Sequence, residues 1–498
     1  MLFNSFDFMI FFPIVVLVYF IVPKKMRYIW LLIASYYFYM SWNPQYAILI
    51  AFSTIITYSS GILLHKVNKE LENGVYWCNC QAIKKLILIF AIVINITILI
   101  VFKYSDFLIM NSNKILGLLG IALIQKPFDF LLPVGISFYT FQALSYTIEI
   151  YRGTIQAEKN LFKYALFVSF FPQLVAGPIE RSGKLLVQIQ NVDQLNIYSF
   201  ANMHKGLCLM LWGFFEKLVI ADRAAILVNQ VYDNYQLCGF VEITTATIFF
   251  AFQIYCDFDG YTNIARGAAK VMGFDLMKNF ESPYLATSIK EFWRRWHISL
   301  TSWFTDYIYI PLGGSRKGKI RTMINISVVF AISGLWHGAS WNYIFWGILH
   351  GCYQIVGMVK SLVLQKLPNS GKSVPKVISN AIKICITFVL VDFAWLFFRV
   401  GDLSNGIDMI RQAFQVYQYQ SILELGVSEV ELSCLLISIV ILLVVDYCYH
   451  KQIYLYQILC NSPIWIRYIV YQVAVWWVIL LGVYGVGYDS SQFVYFQF

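Results

Sequence analysis

The chain is 498 residues long, 59% hydrophobic and 18% aromatic, with 13% charged residues, a net charge of +10 and a mean hydropathy of +0.64. These values lie outside the range of a soluble globular domain and predict a polytopic, all-α integral membrane protein. The basic residues sit beside apolar runs rather than on one soluble face, which excludes a nucleic-acid binder.

Apolar runs of spanning length, roughly 17–25 residues each, lie near 8–22, 28–41, 45–64, 86–102, 106–124, 131–150, 161–176, 205–220, 243–256, 322–336, 341–362, 379–399, 432–449 and 466–486. Several are short or share a boundary, so about eleven to thirteen crossings are expected, the rest being re-entrant or interfacial. The polar connections near 181–204 and 400–431 are too short for a soluble domain, which needs ~40 residues, and residues 1–498 read as one membrane domain. Lys24, Lys25 and Arg27, then His65, Lys66, Lys69, Lys84 and Lys85, fall an even number of crossings apart. By the positive-inside rule both clusters are cytoplasmic and the amino terminus is outside. Nothing basic precedes the first apolar run and no small-residue cleavage site follows it, so no signal peptide is expected. The ten cysteines are scattered, and Cys78-x-Cys80 has no partner pair at zinc spacing, which predicts inert core thiols and no metal site.

Residues 1–130 read as hydrophobic packing, with Tyr36 to Tyr39 and Trp42 as interfacial anchors. The run Leu132 to Gln142 opens on Pro133 and Gly135 and carries Ser137, Tyr139 and Gln142, which fits a helix lining a polar interior or an ordinary kinked span. Phe171 to Arg181, with Pro172, Gly177 and Pro178, cannot continue a helix and predicts an irregular, protein-buried turn. Glu216, Lys217, Asp222 and Arg223 are spaced to pair among themselves. Asp257 and Asp259 end an apolar run; carboxylates at membrane depth are kept for a cavity or a partner, and Arg266, Arg294 and Arg295 are the nearest cations in sequence. Two residues apart, these carboxylates do not share a helical face.

Residues 283–314 carry the densest chemistry. Ser288-x-x-Glu291 is a capping-box pattern, and Pro311 with Gly313-Gly314 closes the far end, so one interfacial helix of about twenty residues is expected between them. Ile289, Phe292, Trp293, Trp296, Leu300, Trp303 and Tyr307 form an apolar stripe toward the membrane; Lys290, Arg294, His297, Thr301 and Thr305 fall opposite. Asp306 follows. An interfacial anchor explains these features as well as a site does. Arg316, Lys317, Lys319 and Arg321 then suit a cytoplasmic turn on anionic lipid, or a site for the phosphates of a nucleotide-like donor.

The second locus is 333–342, where His337 stands between Gly334 and Gly338, beside Trp336 and Asn342. The flanking glycines allow close approach of another backbone or a substrate. A membrane histidine serves as a hydrogen-bonded core residue or as a proton-transfer group near neutral pH. His65, His204, His350 and His450 read as structural.

Taken together, Tyr255 to Tyr261, Asn279 to Ile289, Glu291 to Leu300, Asp306 to Gly314 and Gly334 to Trp341 resemble, in order, the signature blocks of bacterial membrane-bound O-acyltransferases. The resemblance is closest to the branch that O-acetylates alginate, which Leu132 to Gln142, Gln173 to Arg181 and the terminal Phe493 to Phe498 also resemble, so it covers nearly the whole chain. Thr305 stands where relatives usually carry arginine, and Asp259 where serine is common. The resemblance implies a helical fold around a central tunnel, with His337 as the histidine of acyl transfer and His297 as its cytoplasm-facing support. It brings Trp296, Arg294, Arg295, Asp306, Trp336, Asn342 and Asp257 in as candidate substrate-binding residues. It further implies no permanently bound cofactor, acetyl-CoA as acyl donor, an exported polysaccharide as acceptor, and an extracytoplasmic SGNH or esterase-like acetyltransferase as partner. D-alanyl transfer to teichoic acid is the alternative within the class. A transporter or flippase is the alternative outside it, against which stands the lack of duplicated halves.

Overall fold

The computed structural model describes residues 1–73, 80–126, 132–175, 177–364, 375–415 and 425–484. Every regular element among them is helical. In chain order these are α1 (Phe6–Ile21), α2 (Arg27–Met40), α3 (Tyr46–Glu72), α4 (Cys80–Leu99), α5 (Ser105–Leu118), α6 (Ile136–Arg152), α7 (Leu161–Ser169), α8 (Phe171–Leu174), α9 (Val187–Gln190), α10 (Phe200–Phe214), α11 (Asp222–Asp233), α12 (Phe240–Val271), α13 (Ile289–Arg295), α14 (Ile298–Phe304), α15 (Lys319–His337), α16 (Trp341–Leu364), α17 (Lys376–Arg399), α18 (Leu403–Ala413), α19 (Glu429–His450), α20 (Leu455–Asn461) and α21 (Ile464–Leu481). Six helical stretches among the described residues are long and apolar enough to cross a membrane: α3, the continuous run Cys80–Leu118, α15, α17, α19 and α21. The chain is thus a multi-pass membrane protein. Phe493 to Phe498 and Cys78 lie outside the described residues.

The chain folds into two compact units, one of Met1–Met210 with Thr262–Met277, the other of Leu211–Tyr261 with Lys278–Phe498. In the first, polar side chains on the spans bond within their own helix or to the neighbouring one. Thr54 and Thr57 hydroxyls donate to the carbonyls of Ile50 and Ser53 at 2.6 and 2.7 Å, and Ser53 donates to Asn95 on α4 at 2.6 Å. These groups do not depend on water that a bilayer core lacks. Gly135 starts α6 at φ +73°, where a Cβ would lie 2.4 Å from the Leu174 carbonyl oxygen, so the close approach and the left-handed turn both require glycine. Along α6, Ser137, Tyr139 and Gln142 are buried, and the Gln142 amide donates to the Phe167 carbonyl at 2.6 Å. Gln142 is thereby engaged within the unit. Residues 171–175 and 177–181 show the predicted irregular turn, with α8 only four residues long and Glu180 buried, accepting from the Met277 amide.

The second unit is built on the α15–α16 hairpin, α17, and the π-helical turn Phe215–Ala221 between α10 and α11. Lys217 on that turn is buried and bonds Asp222 at 2.8 Å and Asp257 at 2.6 Å. The expected pairing within 216–223 holds for Lys217 and Asp222. Arg223 approaches Glu431 at 3.8 Å, and Asp257 pairs with Lys217, a cation that proximity in sequence did not suggest. The cysteines are not uniformly core thiols: Cys80, Cys238, Cys256 and Cys434 are buried, while Cys352 and Cys385 are exposed on α16 and α17.

The expected twenty-residue interfacial helix does not form. Ser288 caps α13 as predicted, its hydroxyl accepting from the Glu291 amide. The helix ends at Arg295, His297 turns left-handed at φ +44°, and α14 begins at Ile298. The tryptophan stripe also faces protein rather than lipid: Trp293, Trp296 and Trp303 are buried, and Trp296 packs against Trp395 with centroids 4.9 Å apart. Of the opposite face, Lys290 and Arg294 are exposed and His297 is buried.

Candidate active site

His337 is the last residue of α15, and Gly338 caps that helix. The tight α15–α16 hairpin presents it. A Cβ on Gly334 would stand 2.2 Å from the Tyr343 carbonyl oxygen, and one on Gly338 2.2 Å from the Tyr343 ring. The flanking glycines thus admit the chain's own α16. His297 comes from the break between α13 and α14. Trp336 lies beside both, its ring centroid 6.0 Å from that of His297 and 5.0 Å from that of His337. The imidazole centroids are 6.4 Å apart.

Aromatic rings close the surround. Phe258 meets His297 edge-on at 4.7 Å, and Trp346 and Phe398 meet His337 edge-on at 5.1 and 5.3 Å. Both histidines are almost sealed, at 1% and 4% exposure. Burial pushes the His297 imidazole, in a segment too short to span, down to about 3, so it is neutral at physiological pH. Two imidazoles beside one indole in an apolar shell can exchange a proton with a bound hydroxyl where bulk water is largely excluded.

Most of the other candidates have partners of their own. Trp296 is buried among Tyr255, Phe280, Tyr284 and Trp395. Arg295 is half-buried and pairs with Glu291 at 2.6 Å, Arg294 is exposed, and Asp306 is half-buried on the π-helical turn Thr305–Tyr309. Asn342 donates its amide to the Phe397 and Val400 carbonyls at 3.3 and 2.8 Å, closing the end of α17. Asp257 is held by Lys217. Sequence reasoning missed Phe258, Trp346 and Phe398, which read as ordinary apolar positions. His350 is buried and accepts from the Trp293 indole at 3.3 Å, the structural role expected for it. Among the described residues, no group of three or more His, Cys, Asp or Glu is arranged to hold a metal.

Comparison with known proteins gives this site its context. Residues 156–398, which include both histidines, match the MBOAT, membrane-bound O-acyltransferase family. The chain is 34% identical over 426 residues to the Pseudomonas aeruginosa protein named "Probable alginate O-acetylase AlgI", covering 84% of this chain and 76% of that one. It is 33% identical over 411 residues to the peptidoglycan O-acetyltransferase of Helicobacter pylori, covering 77% and 73%. Similarity to the teichoic acid D-alanyltransferase of Bacillus subtilis is lower, 27% over 248 residues, covering 46% and 60%. With a relative above 30% identity matched over three quarters of its length, and a family match over residues 156–398, the chain belongs to the membrane-bound O-acyltransferase family.

Proposed function

We propose that this enzyme moves an acetyl group from a cytoplasmic thioester, acetyl-CoA, to hydroxyl groups of an exported or envelope polysaccharide, with His337 as general base and His297 in support. The observation that carries the reading is the meeting of His337 and His297 on the Trp336 indole inside a sealed aromatic shell. Acetyl is favoured over D-alanyl because the relatives named for O-acetylation match three quarters or so of this chain, and the D-alanyltransferase of B. subtilis less than half.

In this reaction the acceptor hydroxyl attacks the thioester carbonyl while His337 takes its proton. The tetrahedral adduct then expels the thiolate, and the proton returns to sulfur, so the acetyl C–S bond is exchanged for a C–O bond. General-base assistance of this kind contributes about 10²–10⁴ in rate. A neutral His297 supplies a hydrogen bond and no charge. The reading carries with it a tunnel joining the two faces of the membrane, an extracytoplasmic amino terminus, and a separate SGNH or esterase-like acetyltransferase that works beside this enzyme as its partner. Orientation rests on Lys24, Lys25, Arg27 and the basic cluster shared by the end of α3 and the start of α4.

The test is acetyl transfer by purified wild type and His337→Ala, followed as thiol release and as label in polysaccharide. His337→Ala is expected to lose transfer while remaining folded in the membrane. Retained transfer would remove His337 from the chemistry, and transfer of D-alanyl but not acetyl groups would move the enzyme to the teichoic-acid alternative.

A further inference from the structure

His297 is held in an unfavourable backbone conformation, and its restraint comes from elsewhere in the fold. Ser282 at φ +48° and His297 at φ +44° are both left-handed, a state that costs a non-glycine residue on the order of 1–3 kcal/mol and persists only where the surroundings enforce it. Two backbone bonds straddle the histidine: the Glu281 amide donates to the Arg295 carbonyl at 3.0 Å, and the Ile298 amide donates to the Asn279 carbonyl at 2.9 Å. The Ser299 hydroxyl adds a third bond, to Asn279 Oδ1 at 2.6 Å. The 279–282 loop is therefore a brace laid along the chain on either side of His297.

The brace is tied to α19. The Ser282 hydroxyl lies 3.0 Å from the Asp446 carbonyl oxygen and 3.2 Å from Asp446 Oδ1. The Tyr255 hydroxyl lies 3.1 Å from both Asp446 carboxylate oxygens. One turn further, His450 Nδ1 is 3.2 Å from both terminal nitrogens of Arg295, whose guanidinium also bonds Glu291. The last turn of α19 thus grips the loop at Ser282 and the histidine segment at Arg295. Both Asp446 and His450 lie beyond residue 398, where the match to the family ends. A carboxylate buried in a span needs a purpose or a partner, and this one meets two hydroxyls, Ser282 of the loop and Tyr255 of α12, whose ring packs on Phe280 of the loop with centroids 5.6 Å apart.

We propose that Asp446 is a positioning residue for acyl transfer, acting through Ser282 and Tyr255 to hold the 279–282 loop against the backbone on both sides of His297. This rests on the proposed role of His297. Without the tie, the loop's two bonds loosen and His297 relaxes from its left-handed turn, displacing the imidazole from Trp336. Misplacement of about 1 Å at a reacting centre costs on the order of 10²-fold in rate.

The experiment compares the full-length wild type with Asp446→Ala and Asp446→Asn by amide hydrogen exchange and by steady-state transfer from acetyl-CoA. In Asp446→Ala, exchange in peptides covering 279–299 is expected to accelerate while peptides covering 319–337 stay as in wild type. The turnover number is expected to fall roughly 10- to 100-fold with KM for the donor unchanged. Asp446→Asn keeps an acceptor oxygen for both hydroxyls and is expected to restore most of both properties. If Asp446→Ala does not yield folded protein, Ser282→Ala removes the link from the loop side and carries the same expectations. Unchanged exchange overturns the proposal, as does faster exchange with full turnover. So does an Asn variant as impaired as Ala, with activity lost only in proportion to folded protein. Wild type without any acetyl transfer would sink the proposed function, while the exchange comparison would still read the brace.

Discussion

The His297 and His337 rings stand 6.4 Å apart, centroid to centroid, and both contact the indole of Trp336. Burial takes the His297 imidazole down to about 3, so above that pH it carries no charge to lose. The acid limb of the pH–rate profile above pH ~5 must therefore belong to another group, which under the proposed mechanism is His337. His297→Asn is expected to lower the plateau of kcat severely while leaving the midpoint of the acid limb where wild type has it. A midpoint that moved with this substitution would make His297 the titrating base.

The α15–α16 hairpin that presents His337 tolerates no side chain at Gly334, where a Cβ would meet the Tyr343 carbonyl at 2.2 Å. Overpacking against backbone costs about 1–3 kcal/mol or more. Gly334→Ala is expected to lower the thermal midpoint and to abolish most transfer, because the helix that ends in His337 must shift. Gly357, inside α16 with nothing within 4 Å of its Cβ position, is the control: alanine there should be neutral or stabilising by roughly 0.5–1 kcal/mol. Equal behaviour of the two variants would count against the hairpin constraint.

The two histidines and the helical, membrane-spanning class were legible because both survive at the level of local pattern: Trp-His blocks and long apolar runs. The break at His297 was not. Its apolar period runs unbroken from Ile289 to Tyr307, and nothing local marks a left-handed residue there, since the bonds that enforce it come from Asn279 and Glu281. The burial of Trp293, Trp296 and Trp303 was also hidden, because an apolar stripe reads the same whether its neighbour is lipid or protein. Asp257 illustrates the third limit: its partner Lys217 lies 40 residues earlier in the chain, farther than proximity in sequence can suggest.

That pair belongs to a buried triad, Asp222–Lys217–Asp257, whose side chains are only 2–6% exposed. Removing the cation alone takes a shared counter-charge from two carboxylates in a low-dielectric interior, and loss of one partner of a buried pair costs about 3–5 kcal/mol. Lys217→Met is accordingly expected to reduce the amount of folded protein sharply. Neutralising the carboxylates in the same background, as Lys217→Met with Asp222→Asn and Asp257→Asn, removes the stranded charge and is expected to recover much of the loss. If the triple variant is no better than Lys217→Met, the charge balance is not what holds this region.

Glu180 makes stability depend on pH separately from the histidines. Burial pushes its carboxyl up from 4.5 to about 7, against the opposing pull of Lys184, Arg266 and Arg181. Between those values the folded chain keeps a proton that the unfolded chain has lost, so stability must fall as pH rises. The contribution is fully present below the unfolded value of about 4.5 and is gone once pH has passed the folded value of about 7. Glutamine at this position cannot titrate, and its carbonyl oxygen can still accept from the Met277 amide as Glu180 does. Glu180→Gln is therefore expected to flatten the fall in thermal midpoint across that interval, and to leave the variant more stable than wild type on its alkaline side. Parallel midpoint curves for the two proteins would show that Glu180 titrates alike in the folded and unfolded chains.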